Sequence, residues 1–273
     1  MLNEKDIIKY FSIVNSHAKK ELGQNFLISE NVVNDIVALL DLNKNDFLLE
    51  IGPGLGAMSE KLINKTSRYV AVEYDKKFVD YLSKAFEDSN VEVVNQNILK
   101  YKDFSFNKIV GNLPYYISTD IISFIVKNFD KLESATFMVQ KEFFDRITSK
   151  NKREKTPINF EIDYLFEVKK EFLVKKNCFF PVPSVDSIVF SIKRKKEKDM
   201  AFAGFLFKII EISFQNRRKN ISNNLKKIII DEDLRTSIFA NCNISESDRP
   251  EDLTLDNFEK IAIEILKQKK LKL

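Results

Sequence analysis

Asn112 and Tyr115 are the residues whose types and spacing point most directly to chemistry. They stand in Ile109-Val110-Gly111-Asn112-Leu113-Pro114-Tyr115-Tyr116, a short apolar run that ends in Gly and an Asn-x-Pro-Tyr turn. Proline fixes φ and stops strand pairing, so the turn is expected to present an amide and a ring at the carboxyl edge of a strand. That edge is where open α/β sheets take their ligands. Asn112 and the neighbouring carbonyls could accept the hydrogens of an adenine amino group while Tyr115 lies flat against its ring. Such chemistry needs no acid, base, thiol or metal. Taken alone, the same residues equally describe a strand-ending turn with a core Tyr, so their context decides.

A second group of residues supplies that context. Phe47-Leu48-Leu49-Glu50-Ile51 reads as a strand, followed by Gly52-Pro53-Gly54-Leu55-Gly56 and a helical pattern through Met58, Leu62 and Ile63. Alternate glycines let the main chain turn sharply and approach a ligand, with the following helix expected to offer its positive end. The spacing is not that of the dinucleotide fingerprint, and the Lys-Ser/Thr of a phosphate-gripping loop is missing. The next strand, Tyr69-Val70-Ala71-Val72-Glu73, ends in an acid 21 residues after Gly52, where it could accept from two ribose hydroxyls. A further strand over 91–95 delivers Gln96 and Asn97, and Asn97 could read an adenine edge. Glycines plus Glu73 describe an adenosyl pocket.

The elements that must position these groups follow from periodicity. A short helix is expected around Ile7, Ile8 and Phe11, and Ser29 reads as the N-cap of a helix carrying Val32, Val33, Ile36, Val37 and Leu40 on one face. Helices through Phe78 to Phe86 and Ile117 to Phe129 alternate with strands, and a fifth strand is expected over 134–140. The alternation predicts a mostly parallel, doubly wound sheet. Later strands are expected over 162–168 and 187–193, with a Pro-stiffened loop at Phe179-Phe180-Pro181-Val182-Pro183 between them. Lys193 to Lys198 reads as a linker, after which the pattern is helical, with Arg217, Arg218 and Lys219 consecutive and a closing helix over 254–267. A basic run from Lys141 to Lys155 has the composition of a solvated face.

Composition narrows the classes. With 273 residues, 44% of them apolar, the chain can fill a large domain and a small one. Lys and Arg total 44 against 40 Asp and Glu, a net charge of +4, so local clusters must carry any nucleic-acid contact. Cys178 and Cys242 lie far apart without partners at ligand spacing, and His17 is the only histidine. These counts argue against a disulfide framework, a zinc site and most His-based catalysis, and a reducing cytoplasm fits. The amino end lacks the apolar core of a signal peptide, and no run of about 18 apolar residues occurs, so no membrane contact is expected.

Six stretches carry a resemblance. They are Leu22-Gly23-Gln24-Asn25-Phe26-Leu27, Glu50-Ile51-Gly52-Pro53-Gly54-Leu55-Gly56, Val72-Glu73, Asn112-Leu113-Pro114-Tyr115, Phe179-x-Pro-x-Pro with Val185-Asp186-Ser187, and Gln215-x-Arg-Arg-Lys. In this order they resemble the small-subunit rRNA adenine dimethyltransferases. The resemblance implies a Rossmann-like class I methyltransferase fold of α/β type with a small C-terminal α-helical domain. It implies a catalytic domain over 1–196, with 1–16 as an extension, and a helical RNA-binding domain over 197–273. The implied activity is S-adenosylmethionine-dependent dimethylation of N6 on two adjacent adenosines near the 3′ end of small-subunit rRNA. The implied partner is the immature 30S subunit, met by a cytoplasmic monomer without metal.

The resemblance also assigns residues. It implies cofactor contacts from Gln24, Asn25, Leu27, Gly52, Gly54, Glu73, Asn97 and Asn112. It implies catalytic roles for Asn112, Pro114, Tyr115 and Phe179, the two rings sandwiching a base turned out of its stack, and RNA contacts from Arg217, Arg218 and Lys219. Asn97 departs from the family's usual Asp and keeps an acceptor oxygen without the charge. Ser184, Asn220 and Ser222 are smaller departures. Two other readings stand beside this one: the related macrolide-resistance methyltransferases of large-subunit rRNA, and a ribosome-assembly factor that acts chiefly by binding.

Overall fold

The computed structural model describes residues 2–14, 17–18, 23–196 and 198–270. Lys19, Lys20, Glu21 and Leu22 ahead of the Gly-Gln-Asn-Phe-Leu motif, and Glu197 of the expected linker, lie outside the described residues. Packing divides the chain into two units, Met1–Phe144 with Glu167–Arg194, and Asp145–Phe166 with Lys195–Leu273. This differs from a single cut at 196/197: residues 145–166, read above with the first domain, pack with the C-terminal helices.

The first unit opens with helix α1 (Glu4–Ile13), strand β1 (Phe26–Leu27) and helix α2 (Glu30–Leu39). Ser29 precedes α2 as expected, but its side chain makes no capping bond. Then come β2 (Phe47–Ile51), α3 (Ser59–Leu62), β3 (Arg68–Glu73), α4 (Lys76–Ala85), β4 (Val91–Asn95), β5 (Lys108–Asn112), α5 (Ser118–Asn128) and β6 (Ser134–Gln140). Helices α6 (Lys141–Ile147) and α7 (Pro157–Leu165) lead to β7 (Phe166–Val174), β8 (Phe179–Phe180) and β9 (Ser187–Arg194).

The large sheet runs β4-β3-β2-β5-β6-β9-β7. Its β4, β3, β2, β5 and β6 are parallel, and β9 joins β6 antiparallel. Val70, Ile109 and Val110 are fully buried, as strands covered on both faces require. Each such side chain contributes about 1.5–3 kcal/mol by leaving water. The order reverses at β2, whose neighbours are β3 on one side and β5 on the other, with Ile51 opposite Gly111. This switch point sets the glycine turn beside the Asn112 turn. Gly111 is required there, because a Cβ would stand 3.0 Å from the Ile51 carbonyl oxygen.

A separate two-stranded pairing joins β1 to β8, Phe26 opposite Phe180 and Leu27 opposite Phe179. It fastens the Gln24-Asn25 segment to the proline loop.

The second unit packs α7 with α8 (Met200–Phe214), α9 (Ile221–Leu225), α10 (Glu232–Asn241) and α11 (Leu255–Lys270). Phe160 of α7 meets Phe258 of α11 edge-on at 5.1 Å between centroids. Asp199 caps α8, accepting the Ala201 N–H at 2.8 Å. The strand expected over 162–168 is a helix as far as Leu165 and a strand only from Phe166. Pro157 at the first turn and Asn159, whose Oδ1 accepts the Thr156 N–H at 2.9 Å, start that helix.

Candidate active site

The carboxyl ends of β2, β3 and β5 open onto a cavity of about 330 Å³. Its lining includes Gln24, Asn25, Leu27, Gly52, Gly54, Glu73, Asn97 and Asn112, which brings together every residue expected to touch a cofactor. Pro114 lines it as well, whereas Tyr115 and Phe179 do not.

The glycine turn and the acid are one hydrogen-bonded piece. Gly54 N–H donates to Glu73 Oε2 at 3.0 Å, and Asp75 N–H donates to Oε1 at 2.8 Å. Gly54 holds φ +58°, and a Cβ there would stand 3.3 Å from the Phe26 ring, so a side chain meets both strain and crowding. Glu73 is nearly buried, and burial raises its pKa above the usual carboxylate value while the backbone N–H groups act against that rise. The Tyr74 backbone N–H also faces the carboxylate, which keeps acceptor capacity for a hydroxyl donor. The helix expected to point its positive end from Met58 is only four residues long, and turn residues separate it from the glycines.

Glu50, one strand residue before the turn's Ile51, is fully buried on β2. Ser59 Oγ donates to its Oε2 at 2.6 Å and the Tyr69 hydroxyl donates to the same oxygen. Its Oε1 has no hydrogen-bond partner. Burial pushes this carboxyl up to about 7.

Asn112 is half-buried at the end of β5, and its Nδ2 donates to the Asn25 carbonyl oxygen at 3.2 Å. That bond turns Oδ1 into the group left for an incoming amino hydrogen. Asn25 in turn donates through Nδ2 to Gly23 O at 3.2 Å, and Gln24 donates to Asp75 Oδ2 at 3.2 Å. Asn97 Oδ1 accepts the Leu99 N–H at 2.9 Å and caps the turn over 98–100.

Two expectations change in detail. The Pro114 carbonyl accepts from Ile117 N at 3.2 Å and from Ser118 Oγ at 2.9 Å, so both its lone pairs are engaged inside the chain. Phe179 is 1% exposed and packs with Leu27, Met58, Met138 and Val189, which covers the ring faces that a base would need. The pairing of β8 with β1 turns that ring inward. Tyr115 remains partly exposed, and its hydroxyl shares a 3.0 Å hydrogen bond with the buried Ser187.

Arg217, Arg218 and Lys219 sit in the turn after α8 and not within a helix. Arg217 donates from its guanidinium to the Arg153 carbonyl oxygen at 2.8 Å, whereas Arg218 and Lys219 are exposed. Buried Asn224 holds the turn, donating to Asn216 O at 3.2 Å and Lys219 O at 3.4 Å.

Sequence reasoning missed cavity residues contributed from a distance, among them Leu2, Phe26, Phe78 and Ile121. Tyr74 and Tyr116 also line it and directly follow Glu73 and Tyr115, an adjacency that could have flagged them. Among the described residues no group of His, Cys, Asp and Glu could hold a metal ion, and no helix is long and apolar enough to cross a membrane.

A profile of the family described as ribosomal RNA adenine dimethylase matches residues 15–267. The "Ribosomal RNA small subunit methyltransferase A" of Mycoplasma mycoides subsp. mycoides SC is 37% identical over 261 residues, covering 89% of this chain and 96% of that one. Among solved structures, a dimethyladenosine transferase from Plasmodium falciparum superposes with a TM-score of 0.71 at 20% identity, covering 89% of this chain and 98% of that one. The 23S rRNA methyltransferase ErmE gives 0.65 at 22% identity, covering 88% and 99%. The last two likenesses concern the fold.

Proposed function

The chain belongs to the ribosomal RNA adenine dimethylase family, and from that membership we propose that its cavity binds S-adenosylmethionine and that its targets are two adjacent adenosines near the 3′ end of small-subunit rRNA in an immature 30S subunit. Its sheet is the Rossmann-like class I methyltransferase fold, and it is an rRNA adenine dimethyltransferase. The observation that carries the site assignment is that Asn112 lines the same cavity as the glycine turn and Glu73.

The donor set suits an adenosyl group. Glu73 offers two acceptors at the turn, and Asn97 offers one remaining lone pair on Oδ1 and two N–H donors on Nδ2. An amide can therefore meet both the amino hydrogens and a ring nitrogen of adenine, where a carboxylate could only accept. Leu27, Ile98 and Ile121 supply apolar walls. When bound, the cofactor supplies a sulfonium methyl group as electrophile.

The target nitrogen is a weak nucleophile because its lone pair is delocalised into the ring. Asn112 Oδ1 holds one amino hydrogen and draws the nitrogen out of conjugation. With the Pro114 carbonyl engaged, the Leu113 carbonyl is the acceptor assigned beside it. Tyr115, braced through Ser187, lies against the base. Stacking of about 1–3 kcal/mol offsets much of the cost of turning the base out. Phe179 supports that floor from within the core.

The first unit is assigned to cofactor and base and the second, through Arg218 and Lys219, to rRNA phosphates, in a monomer that works in the cytoplasm. The relative named for the small subunit favours that RNA over the large-subunit reading. Tritiated cofactor offered to unmethylated small and large ribosomal subunits tests the assignment. Label is expected in small-subunit rRNA as dimethyladenosine, and label confined to large-subunit rRNA would overturn it.

A further inference from the structure

Helix α1 lies ahead of residue 15, where the family match begins, and its packing ties it to the cavity. Ile7 is fully buried and Tyr10 is nearly so. Both belong to one apolar cluster with Phe26, Leu55 and Phe78, and those three residues line the cavity. The Tyr10 ring meets Phe78 at 5.8 Å between centroids, and Phe11 meets Phe26 at the same separation.

Directional bonds fix the helix as well. The Tyr10 hydroxyl donates to the Lys77 carbonyl oxygen at 2.9 Å, on the first turn of α4. Asn3 caps α1, accepting the Asp6 N–H at 3.1 Å while Asp6 Oδ2 accepts the Asn3 N–H at 3.1 Å. This reciprocal cap sets the direction of the chain just before it. Leu2, the residue so placed, lines the cavity itself.

We propose that α1 and Leu2 are a wall of the cofactor cavity, so that residues 2–14 set the affinity for the adenosyl cofactor. The proposal rests on the reading of this cavity as the cofactor site. Leu2 adds apolar surface against the ligand, and α1 holds the Phe26 and Phe78 rings in the positions that shape it. With the wall loosened, that part of the ligand stays hydrated and the rings lose their backing.

Titration calorimetry of the full chain with S-adenosylhomocysteine as probe tests this. Leu2→Asp puts a charge on the wall where Leu2 packs against the cluster of α1, and Ile7→Ala loosens α1 from that cluster without changing the residue that lines the cavity. Each is expected to raise Kd about tenfold, with the far-UV circular dichroism unchanged and the KM for cofactor rising more than kcat falls. A Kd for Leu2→Asp within about twofold of the parent overturns the proposal, even if Ile7→Ala lowers the melting temperature. Glu73→Ala separates the two readings. If it binds the probe like the parent, the cavity is not the cofactor site and both fall; if it weakens binding while Leu2→Asp does not, only the wall falls.

Discussion

Glu73 is 8% exposed and has a backbone N–H on each carboxylate oxygen, whereas Arg218 and Lys219 of the second unit stand in solvent on a turn. Both regions offer charge to a ligand. The buried carboxylate is held in one position before any ligand arrives, so its remaining lone pairs select hydroxyl groups at defined places. The exposed cations attract phosphate from any direction and are screened by salt. On the proposed assignment, discrimination among small groups falls to the cavity and attraction to a polyanion to the turn.

The largest effect that can break this contrast is expected at Asn112. Asn112→Ala should lower kcat by about 10²- to 10³-fold, since the acceptor for the reacting amino group is lost, while a filter-binding curve for small subunits stays close to that of the parent. Loss of both together would mean that cavity and turn do not divide the work as argued.

Glu50 sharpens the contrast from inside the first unit. A carboxyl whose pKa is raised by folding takes up its proton more readily in the native state, so its contribution to stability is full below about 4.5 and is lost as pH rises to about 7. The 2.5-unit interval corresponds to roughly 3 kcal/mol. Urea unfolding of Glu50→Gln between pH 4.5 and 7.5 is expected to show that much less pH dependence than the parent, and an unchanged slope would refute a neutral Glu50 below pH 7.

The smallest effect concerns the turn. Arg218→Ala and Lys219→Ala should each lower the slope of log affinity for rRNA against log salt by about 0.7–0.9. Arg217→Ala should change it less, because its guanidinium already serves the Arg153 carbonyl. Equal slopes for all three would place Arg217 on the RNA.

Local spacing made much of this site legible in the sequence. Glu73 and Asn112 end their strands, and Gly52, Gly54 and Asn97 come shortly after theirs, so finding the strands was enough to bring them to one edge. Phe179 was not legible in the same way. A Phe beside prolines reads as an exposed stacking ring or, more commonly, as a core residue, and what decides is its pairing partner, Leu27 of β1, far off in the chain. Residues 162–165, the end of the helix over 157–165, were read as the start of a strand because Ile162, Tyr164, Phe166 and Val168 alternate, while the residues that start the helix, Pro157 and Asn159, are turn and cap signals. The Pro114 carbonyl could not be assessed from sequence at all, since its engagement depends on the turn that follows it.

The pairing of Phe26 with Phe180 spans more than half the chain. As the protein leaves the ribosome that makes it, Leu27 therefore waits without its partner until β8 emerges, on the order of ten seconds at ordinary synthesis rates. Until then the segment bearing Gln24 and Asn25 has no strand to fasten it, and the cavity it lines stays unfinished in a growing chain.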